Sequence, residues 1–311
     1  MHLSCPYCQN DFNSGQDIPN SDSTVSKNGK FYRKSDKKWI QRYRCKFNHE
    51  FSDAYFDECY RQRKRYLNPV IMEELCSLNS MRRIAKKLEI NPKTVARKMD
   101  FLGNRARKVL EQFNQYQMPC SQVQFDELET IEHTKLKPVS VPLAVEFKTR
   151  RILDVRVASM PAKGLLAAKS RKKYGPRKDE RNKRIKELLQ TVKSLCQEHP
   201  VLSSDQCPRY PELVQTVLPR AEHKTFKGKR GAVTGQGELK KTKWDPLFSL
   251  NHTCAMLRAN IHRLIRKTWN TTKKLQRLEY HLLIYANYHN QFLLLSNQDQ
   301  RQFDFTILAP C

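Results

Sequence analysis

The sequence predicts a multidomain α/β protein, in which a small cysteine-containing β unit and an all-α unit precede a larger domain with a mixed sheet. Three observations support this: a C-x-x-C pair, three helical patterns over residues 69–103, and β-like runs after Met118 that end in a helix. With 311 residues, the chain can form two or three domains and at least one sizeable core. We predict the units at 1–60, 61–115 and 116–295, followed by a C-terminal tail at 296–311.

The composition is strongly basic. Lys and Arg total 58 against 31 Asp and Glu, which gives a formal net charge of +27. Such an excess of positive charge usually indicates a polyanionic partner, most often nucleic acid and less often an anionic membrane surface. No apolar run approaches the roughly 18 residues of a membrane span, and "MHLSCPYCQNDF" lacks the apolar core of a signal peptide. We therefore expect a cytoplasmic protein whose ten cysteines are thiols or metal ligands.

The N-terminal cysteines have the spacing of a metal site. Cys5 and Cys8 form a C-x-x-C pair, a turn that allows two thiolates to bind one tetrahedral Zn²⁺. Cys45 and His49 in "YRCKFNHEF" offer a second pair of ligands. Short β-like runs flank the polar segment between the pairs, so we predict a zinc ribbon that needs its metal to fold. The alternatives to His49 as fourth ligand are Cys59 and His2.

Residues 69–103 have the pattern of a helix-turn-helix. Ser80 and Asn91 are placed to cap the second and third helices, and Pro92 suits the first position of the third. The residues predicted to face inward are Ile71, Leu75, Leu78, Ile84, Ala85, Leu88, Val95 and Met99. Those predicted to face the major groove of DNA are Lys93, Thr94, Arg97 and Lys98. The alternative is a basic three-helix bundle without a role in DNA binding.

The third domain begins with "SQVQFDELETIE", "SVPLAVEFKT" and "RILDVRVASM", which are β-like runs joined by short turns. A later strand breaks at Asp205 into a helix, and "SLNHTCAMLRANIHRLIRKTW", residues 249–269, predicts a final helix. Three antiparallel strands, a crossover, another strand and a C-terminal helix is the order of a ribonuclease-H-like fold. Because its first and fourth strands lie side by side, we expect Asp126 and Asp205 to meet at one edge.

The segments "FDELE", "LSSDQ" and "LNHTCAMLRANIHRLIRKTWNTTKK" resemble transposases of bacterial insertion sequences, in particular the superfamily around insertion sequence one. Members of that superfamily often join a zinc ribbon and a helix-turn-helix to this catalytic domain, and the resemblance covers nearly the whole chain. It implies that Asp126 and Asp205 match the two aspartates of the family. Asn251 stands where most relatives have glutamate and one branch has asparagine, and Arg258 matches the basic residue after the third ligand.

The resemblance implies a DDE/N-type transposase that cuts at the terminal inverted repeats of its own element and joins the ends to target DNA. Both reactions are in-line displacements at phosphorus, which two Mg²⁺ or Mn²⁺ ions can promote. We expect Asp126, Asp205 and Asn251 to bind these ions, the second more weakly because Asn contributes less charge than Glu. Arg258 lies about 10 Å further along the helix, where it would bind a phosphate.

Each of these residues has a simpler interpretation. Asp126 stands beside Glu127 and Glu129 in an acidic cluster that could be solvated, while Asp205 and Asn251 could each cap a helix.

A rival third ligand is Glu238 in "GQGELKK", 33 residues after Asp205, although its glycine-flanked context predicts a loop. His252 and His262 suit DNA contacts, or hydrogen bonds within the protein, better than metal binding.

Two basic tracts are predicted to contact DNA. Residues 161–187 hold eleven Lys or Arg against three acids, in a predicted insertion at 160–195. A solvated linker is the alternative; because the tract lies between the two aspartates, we predict that Arg171, Lys172 and Lys173 bind phosphates. In the second tract, residues 223–243, the corresponding residues are Lys229 and Arg230, with Trp244 available to stack on a base.

The expected partners are double-stranded DNA and further copies of the chain, because two element ends must be held together. No membrane partner is expected, and we expect association with the bacterial nucleoid. Two other functions remain open. One is a non-catalytic DNA-binding regulator or domesticated transposase that lost metal chemistry through Asn251, and the other is a structure-specific nuclease of the same fold.

Overall fold

A computed structural model describes the chain at 4–8, 25–34, 37–227, 245–265 and 272–310. Backbone contacts divide it into two compact units, Met1–Asn68 with Pro310–Cys311, and Pro69–Ala309. In the described ranges, no helix has the length and apolar character to cross a membrane.

The first unit contains a three-stranded antiparallel sheet. Its strands are β1 (Val25–Arg33), β2 (Lys38–Cys45) and β3 (Glu50–Ser52). The β1–β2 register shifts between Lys27 and Lys30, where Gly29 takes a left-handed φ of 71° that suits glycine. Ile40 and Phe51 are buried on this sheet. The β-hairpin between the two predicted pairs of metal ligands is therefore present.

The second unit begins with three helices, α1 (Asn68–Leu75), α2 (Met81–Lys87) and α3 (Pro92–Gln115). Ser80 and Asn91 cap α2 and α3 as predicted, since their side chains accept hydrogen bonds from Arg83 N and Lys93 N. Leu78 was expected to face inward, and this prediction is wrong: α1 ends at Leu75, and Leu78 is 40% exposed with a φ of 61°.

Helix α3 is 24 residues long and continues well beyond the predicted recognition helix. Halfway along it, Gly103 packs so closely on Tyr280 that an added Cβ would lie 2.2 Å from the Cβ of Tyr280. Further along, Arg107 donates to the buried carboxylate of Asp154 at 3.0 Å, and Asn114 donates to Leu153 O at 3.0 Å. Helix α3 is therefore fixed along its length to the domain that follows.

That domain is built on a mixed sheet. Its strands are β4 (Cys120–Ile131), β5 (Pro138–Glu146), β6 (Ile152–Val155), β7 (Ala158–Ser159), β8 (Cys196–Asp205) and β9 (Glu222–Phe226). The order is β6-β5-β4-β8-β9, with β7 beside β5; β4, β5 and β6 are antiparallel neighbours, while β8 runs parallel to both β4 and β9. This is the strand order that we expected for a ribonuclease-H-like domain, because β4, the first strand, lies beside β8, the strand that follows the crossover; the two-residue strand β7 was not predicted.

The remaining helices are α4 (Leu166–Tyr174), α5 (Arg181–Leu195), α6 (Tyr210–Val217), α7 (Phe248–Asn260), α8 (Leu275–Tyr288) and α9 (Asn297–Arg301). Helices α5 and α6 cover a core between them and the sheet, which includes Phe125, Leu188 and Leu202. Helix α8 packs on α3, and its Leu278, Leu282 and Tyr285 are buried.

Helix α7, which was predicted as the final helix of the fold, is shorter than predicted. We expected it to run through residues 249–269, but α7 ends at Asn260 and Ile261 is extended, with φ −102° and ψ 106°. The carbonyl of Asn260 accepts a hydrogen bond from Leu78 N at 2.8 Å. His262 and Leu264 follow in a short 3-10 turn, so His262 does not continue the face of Asn251 and Arg258.

Candidate functional site

Asp126 and Asp205 come together as the sequence predicted. In the parallel β4–β8 pair, Gln122 faces Val201 and Gln124 faces Ser203, an offset of 79 residues that carries Asp126 to Asp205. Both side chains are half-buried; Asp126 lies in the middle of β4, and Asp205 is the last residue of β8. The pKa of Asp126 is raised to about 6, first by burial and then by the negative charge of Asp205. Two carboxylates that repel each other in this way favour a divalent cation between them.

Hydrogen bonds from the protein hold one oxygen of each aspartate. Asp126 Oδ1 accepts from Glu127 N at 2.6 Å and from the Tyr210 hydroxyl at 3.0 Å. Asp205 Oδ1 accepts from Cys207 N at 3.0 Å. Among the described residues, these bonds engage Oδ1 of each carboxylate and leave Oδ2 to bind a cation, which fits the hard oxygen ligands that Mg²⁺ prefers.

Glu127, next to Asp126, is engaged elsewhere. Its carboxylate accepts from Ser140 Oγ at 2.6 Å and forms a close ion pair with Arg209. Tyr210 is buried, and its hydroxyl lies within hydrogen-bond distance of both carboxylates, 3.3 Å from Glu127 Oε2 and 3.0 Å from Asp126 Oδ1. Glu127 therefore helps to position its neighbour. No sequence pattern indicated Arg209 and Tyr210, which lie four and five residues after Asp205 at the start of α6.

Strand β4 also anchors α7. Gln124 is buried, and its amide accepts from Leu250 N at 3.0 Å and donates to Pro246 O at 2.8 Å. Leu250 lies in the first turn of α7, where backbone N–H groups lack a partner within the helix. The strand that bears Asp126 thus caps the helix that bears Asn251, and nothing in the sequence pattern indicated this contact.

Asn251 is the fourth residue of α7, and its side chain is exposed. Its Nδ2 donates to Asp245 Oδ2 at 2.9 Å, while Asp245 Oδ1 accepts from Leu247 N at 2.9 Å. Asn251 therefore does not cap its own helix. Because the carboxylate takes the donor side of the amide, Oδ1 is the atom of Asn251 that remains for a cation.

One turn further along α7, Cys254 approaches the acidic pair. Burial and the charge of Asp126 raise the pKa of its thiol to about 12, and Arg258 opposes this shift. Asn251, Cys254 and Arg258 follow one another on adjacent turns along one side of α7, and of these three Cys254 is the residue that the charge of Asp126 reaches.

The predicted zinc ligands also converge. Sγ of Cys8 lies 3.3 Å from His49 Nδ1 and 3.9 Å from Cys45 Sγ, and Cys5 Sγ lies 3.8 Å from His49 Nδ1. A tetrahedral zinc ion requires donor–donor distances of roughly 3.5–3.8 Å, so the four residues fit it. Among the described residues, this is the only group of three or more His, Cys, Asp or Glu whose ligand atoms all lie within 4.8 Å of one another. Cys59 lies elsewhere, with its thiol donating to Pro310 O at 3.3 Å.

The predicted DNA-contacting residues have mixed outcomes. Lys98 is 3% exposed, so the prediction that it faces DNA is wrong: it lies one helical turn from Val95 and Leu102 on the buried side of α3. The predicted residues that are exposed are Lys93, Arg97, Arg171, Lys172 and Lys173, with Thr94 half-buried.

The structure describes His252 but not the predicted contact residues of the second basic tract. His252 contacts Arg150 at 3.2 Å, in agreement with a role within the protein. The predictions for His2, Lys229, Arg230, Glu238 and Trp244 fall outside the described residues.

Comparisons with known proteins give little. No protein-family profile matches the sequence, and no curated protein matches it. The chain is similar to the crystal structure of the Mos1 strand transfer complex, with 10% identity over 72% of this chain and 76% of that chain and a TM-score of 0.24.

Two further crystal structures show similarity of the same order. They are the catalytic domain of Mos1 mariner transposase, with 13% identity over 61% and 90% of the two chains and a TM-score of 0.22, and the Mos1 mariner paired end complex with Mn, with 9% identity over 78% and 81% and a TM-score of 0.23. These TM-scores are too low for fold or function to be inferred from them.

Proposed function

We propose that this protein is a DNA transposase of the DDE/N type, which cuts DNA at the ends of its own element and joins those ends to target DNA. The observation that supports this is the proximity of Asp126, in the middle of β4, and Asp205, at the carboxyl end of the parallel neighbour β8. The net charge of +27 suits a polyanionic substrate.

The roles of the protein groups follow from their contacts. Asp126 and Asp205 would hold divalent cations, Mg²⁺ or Mn²⁺, with their Oδ2 atoms. When bound, such ions activate an attacking oxygen and stabilise a leaving oxygen at phosphorus. Tyr210 and the backbone N–H of Glu127 keep Asp126 in one orientation, so that no reorganisation is needed when substrate arrives.

Asn251 would supply the third protein ligand through Oδ1. Asp245 holds its Nδ2, and Gln124 fixes the start of the helix on which it lies. Arg258, exposed about 10 Å further along α7, would bind a phosphate of the DNA. In the other unit, Cys5, Cys8, Cys45 and His49 would bind a structural zinc ion, while Lys93, Thr94 and Arg97 of α3 would contact the terminal repeats.

The test is a cleavage assay on the purified, zinc-loaded chain with labelled DNA from both sides of its gene, where we expect imperfect inverted repeats bracketed by short direct repeats. With Mg²⁺ or Mn²⁺ we expect nicking and strand joining, both lost in Asp126→Ala and in Asp205→Ala. Glu129→Ala is the matched control, an exposed acid on the same strand. Cutting without joining would support the structure-specific nuclease, and binding without cutting would support a regulator.

The identity of the third ligand needs a separate comparison. Asn251→Ala should abolish metal-dependent nicking, and Glu238→Ala should leave it unchanged. The reverse result would show that Glu238 is the ligand.

A further inference from the structure

The hairpin of β1 and β2 exposes a pair of aromatic rings. Tyr32 and Trp39 are direct cross-strand partners, and their ring centroids lie 5.5 Å apart. Their side chains are 46% and 68% exposed. Large rings are usually withdrawn from water, so an exposed pair of this size is unusual unless a partner covers it.

The hairpin that carries these rings is strongly basic. Residues 25–45 hold eight Lys or Arg against a single acid, Asp36. The basic residues are Lys27, Lys30, Arg33, Lys34, Lys37, Lys38, Arg42 and Arg44. Lys30 lies two residues before Tyr32 and therefore on the same face of β1, while Lys34 and Lys37 are exposed at the end of the hairpin. The surface formed by Tyr32, Trp39 and these three lysines suits a ligand with both flat apolar groups and negative charges.

Single-stranded DNA has both features. In a duplex, the faces of the bases are stacked on one another and are closed to aromatic side chains, whereas unpaired bases offer them. Exposed aromatic rings among Lys and Arg are the usual means by which proteins bind unpaired strands without sequence preference.

We propose that the β1–β2 hairpin binds unpaired nucleotides of single-stranded DNA, with Tyr32 and Trp39 stacking on bases and Lys30, Lys34 and Lys37 contacting phosphates. This inference shares with the proposed function the premise that DNA is the partner. It does not depend on Asp126 or Asp205.

The experiment compares three probes on the full zinc-loaded chain without added magnesium: an oligothymidylate, an abasic deoxyribose-phosphate oligomer of equal length, and a duplex. The wild-type protein should bind the oligothymidylate more tightly than the abasic oligomer. Tyr32→Ala and Trp39→Ala should each weaken oligothymidylate binding by about tenfold or more and leave abasic binding unchanged. Tyr66→Ala, at an exposed ring of the same unit, should change neither.

The same pair also stabilises the hairpin, so folding must be monitored. A Tyr32→Thr/Trp39→Thr double variant keeps high β propensity without rings. It should retain its zinc content and thermal unfolding while losing the preference for bases, and Trp39→Phe should keep most of that preference.

Three results would overturn the proposal. They are equal binding of oligothymidylate and abasic oligomer by the wild-type chain, unchanged binding by the ring variants, and ring-dependent binding of anionic vesicles instead of DNA. Asp126→Ala should bind oligothymidylate as the wild type does. A chain that nicks DNA but whose ring variants bind normally would refute this inference alone, while ring-dependent binding without nicking would refute the transposase alone.

Discussion

The two candidate metal sites of this chain differ in how much of the coordination shell the protein supplies. Cys5, Cys8, Cys45 and His49 bring four ligand atoms within 4.8 Å of one another, enough to close a tetrahedral shell. Asp126 and Asp205 contribute two hard carboxylates that repel each other, and Asn251 would add one amide oxygen. A closed shell of soft ligands suits a metal that holds a fold together. An incomplete shell of oxygen ligands suits ions that must also bind substrate and water.

The largest expected effect is at the predicted zinc site of Cys5, Cys8, Cys45 and His49. Cys45→Ser should remove the zinc and unfold the first unit, because such sites contribute on the order of 10 kcal/mol to folding. Zinc content and thermal unfolding would measure this. Cys59→Ser, which can still donate to Pro310 O, is the matched control and should keep the metal. If the Cys45→Ser variant unfolds at the same temperature as the wild type, this cluster has no structural role.

Acid should act on the second unit through a different group. His281 is fully buried and donates to Leu75 O at 2.8 Å, and burial lowers its pKa to about 3. Since the unfolded chain takes up this proton near pH 6.5, stability should fall as pH decreases below that value, by about 2 kcal/mol between pH 7 and 5. The measurement is the unfolding free energy of wild type and His281→Gln, which keeps a donor but does not titrate. A difference between the two that stays constant with pH would contradict this assignment.

The role of Asn251 at the incomplete site with Asp126 and Asp205 can be tested by substitution. Asn251→Glu would place a second negative charge beside Asp245, whose Oδ2 lies 2.9 Å from the amide nitrogen of Asn251. We expect Asp245 to turn the new carboxylate away from the position that the amide occupies, so that this variant binds Mn²⁺ weakly. Adding Asp245→Asn should remove this repulsion and raise the Mn²⁺ affinity about tenfold, or roughly 1.4 kcal/mol. Calorimetric titration of Mn²⁺ without DNA would show this. Equal affinities of the single and double variants would mean that Asp245 does not orient residue 251.

The smallest expected effect is on stability, which should change in opposite directions at the two candidate metal sites. Asp205→Asn removes a charge that repels Asp126 and keeps an acceptor for Cys207 N. Its stability should be unchanged or higher by up to about 1 kcal/mol, while Cys45→Ser is strongly destabilised. A clear loss of thermal stability in Asp205→Asn would indicate a structural role for this aspartate.

The sequence predicted much of this because several of its signals are local. Helix caps at Ser80 and Asn91, the zinc-ligand spacing, and the series of strands depend on residues close to one another in the chain. The predictions failed where distant contacts decide: Leu78 N bonds to Asn260 O near the end of α7, and Lys98 is buried. The role of Gln124 was missed for the same reason, since its partners Pro246 and Leu250 are distant in the chain. Asp245 bonds to Leu247 and Asn251 nearby in the chain, but no motif marks these contacts.

Helix α3 joins two tasks in one continuous rod about 36 Å long at 1.5 Å per residue. Its first turns carry Lys93 and Arg97, and its later turns are fastened to β6 through Arg107 and Asn114. A DNA segment held at the near end would then lie at a set distance from the acidic pair. If the protein cuts DNA as proposed, the cut would fall at a fixed distance from the bound sequence. Base pairs inserted between that sequence and the original cutting position would then shift the cut by the same number of base pairs.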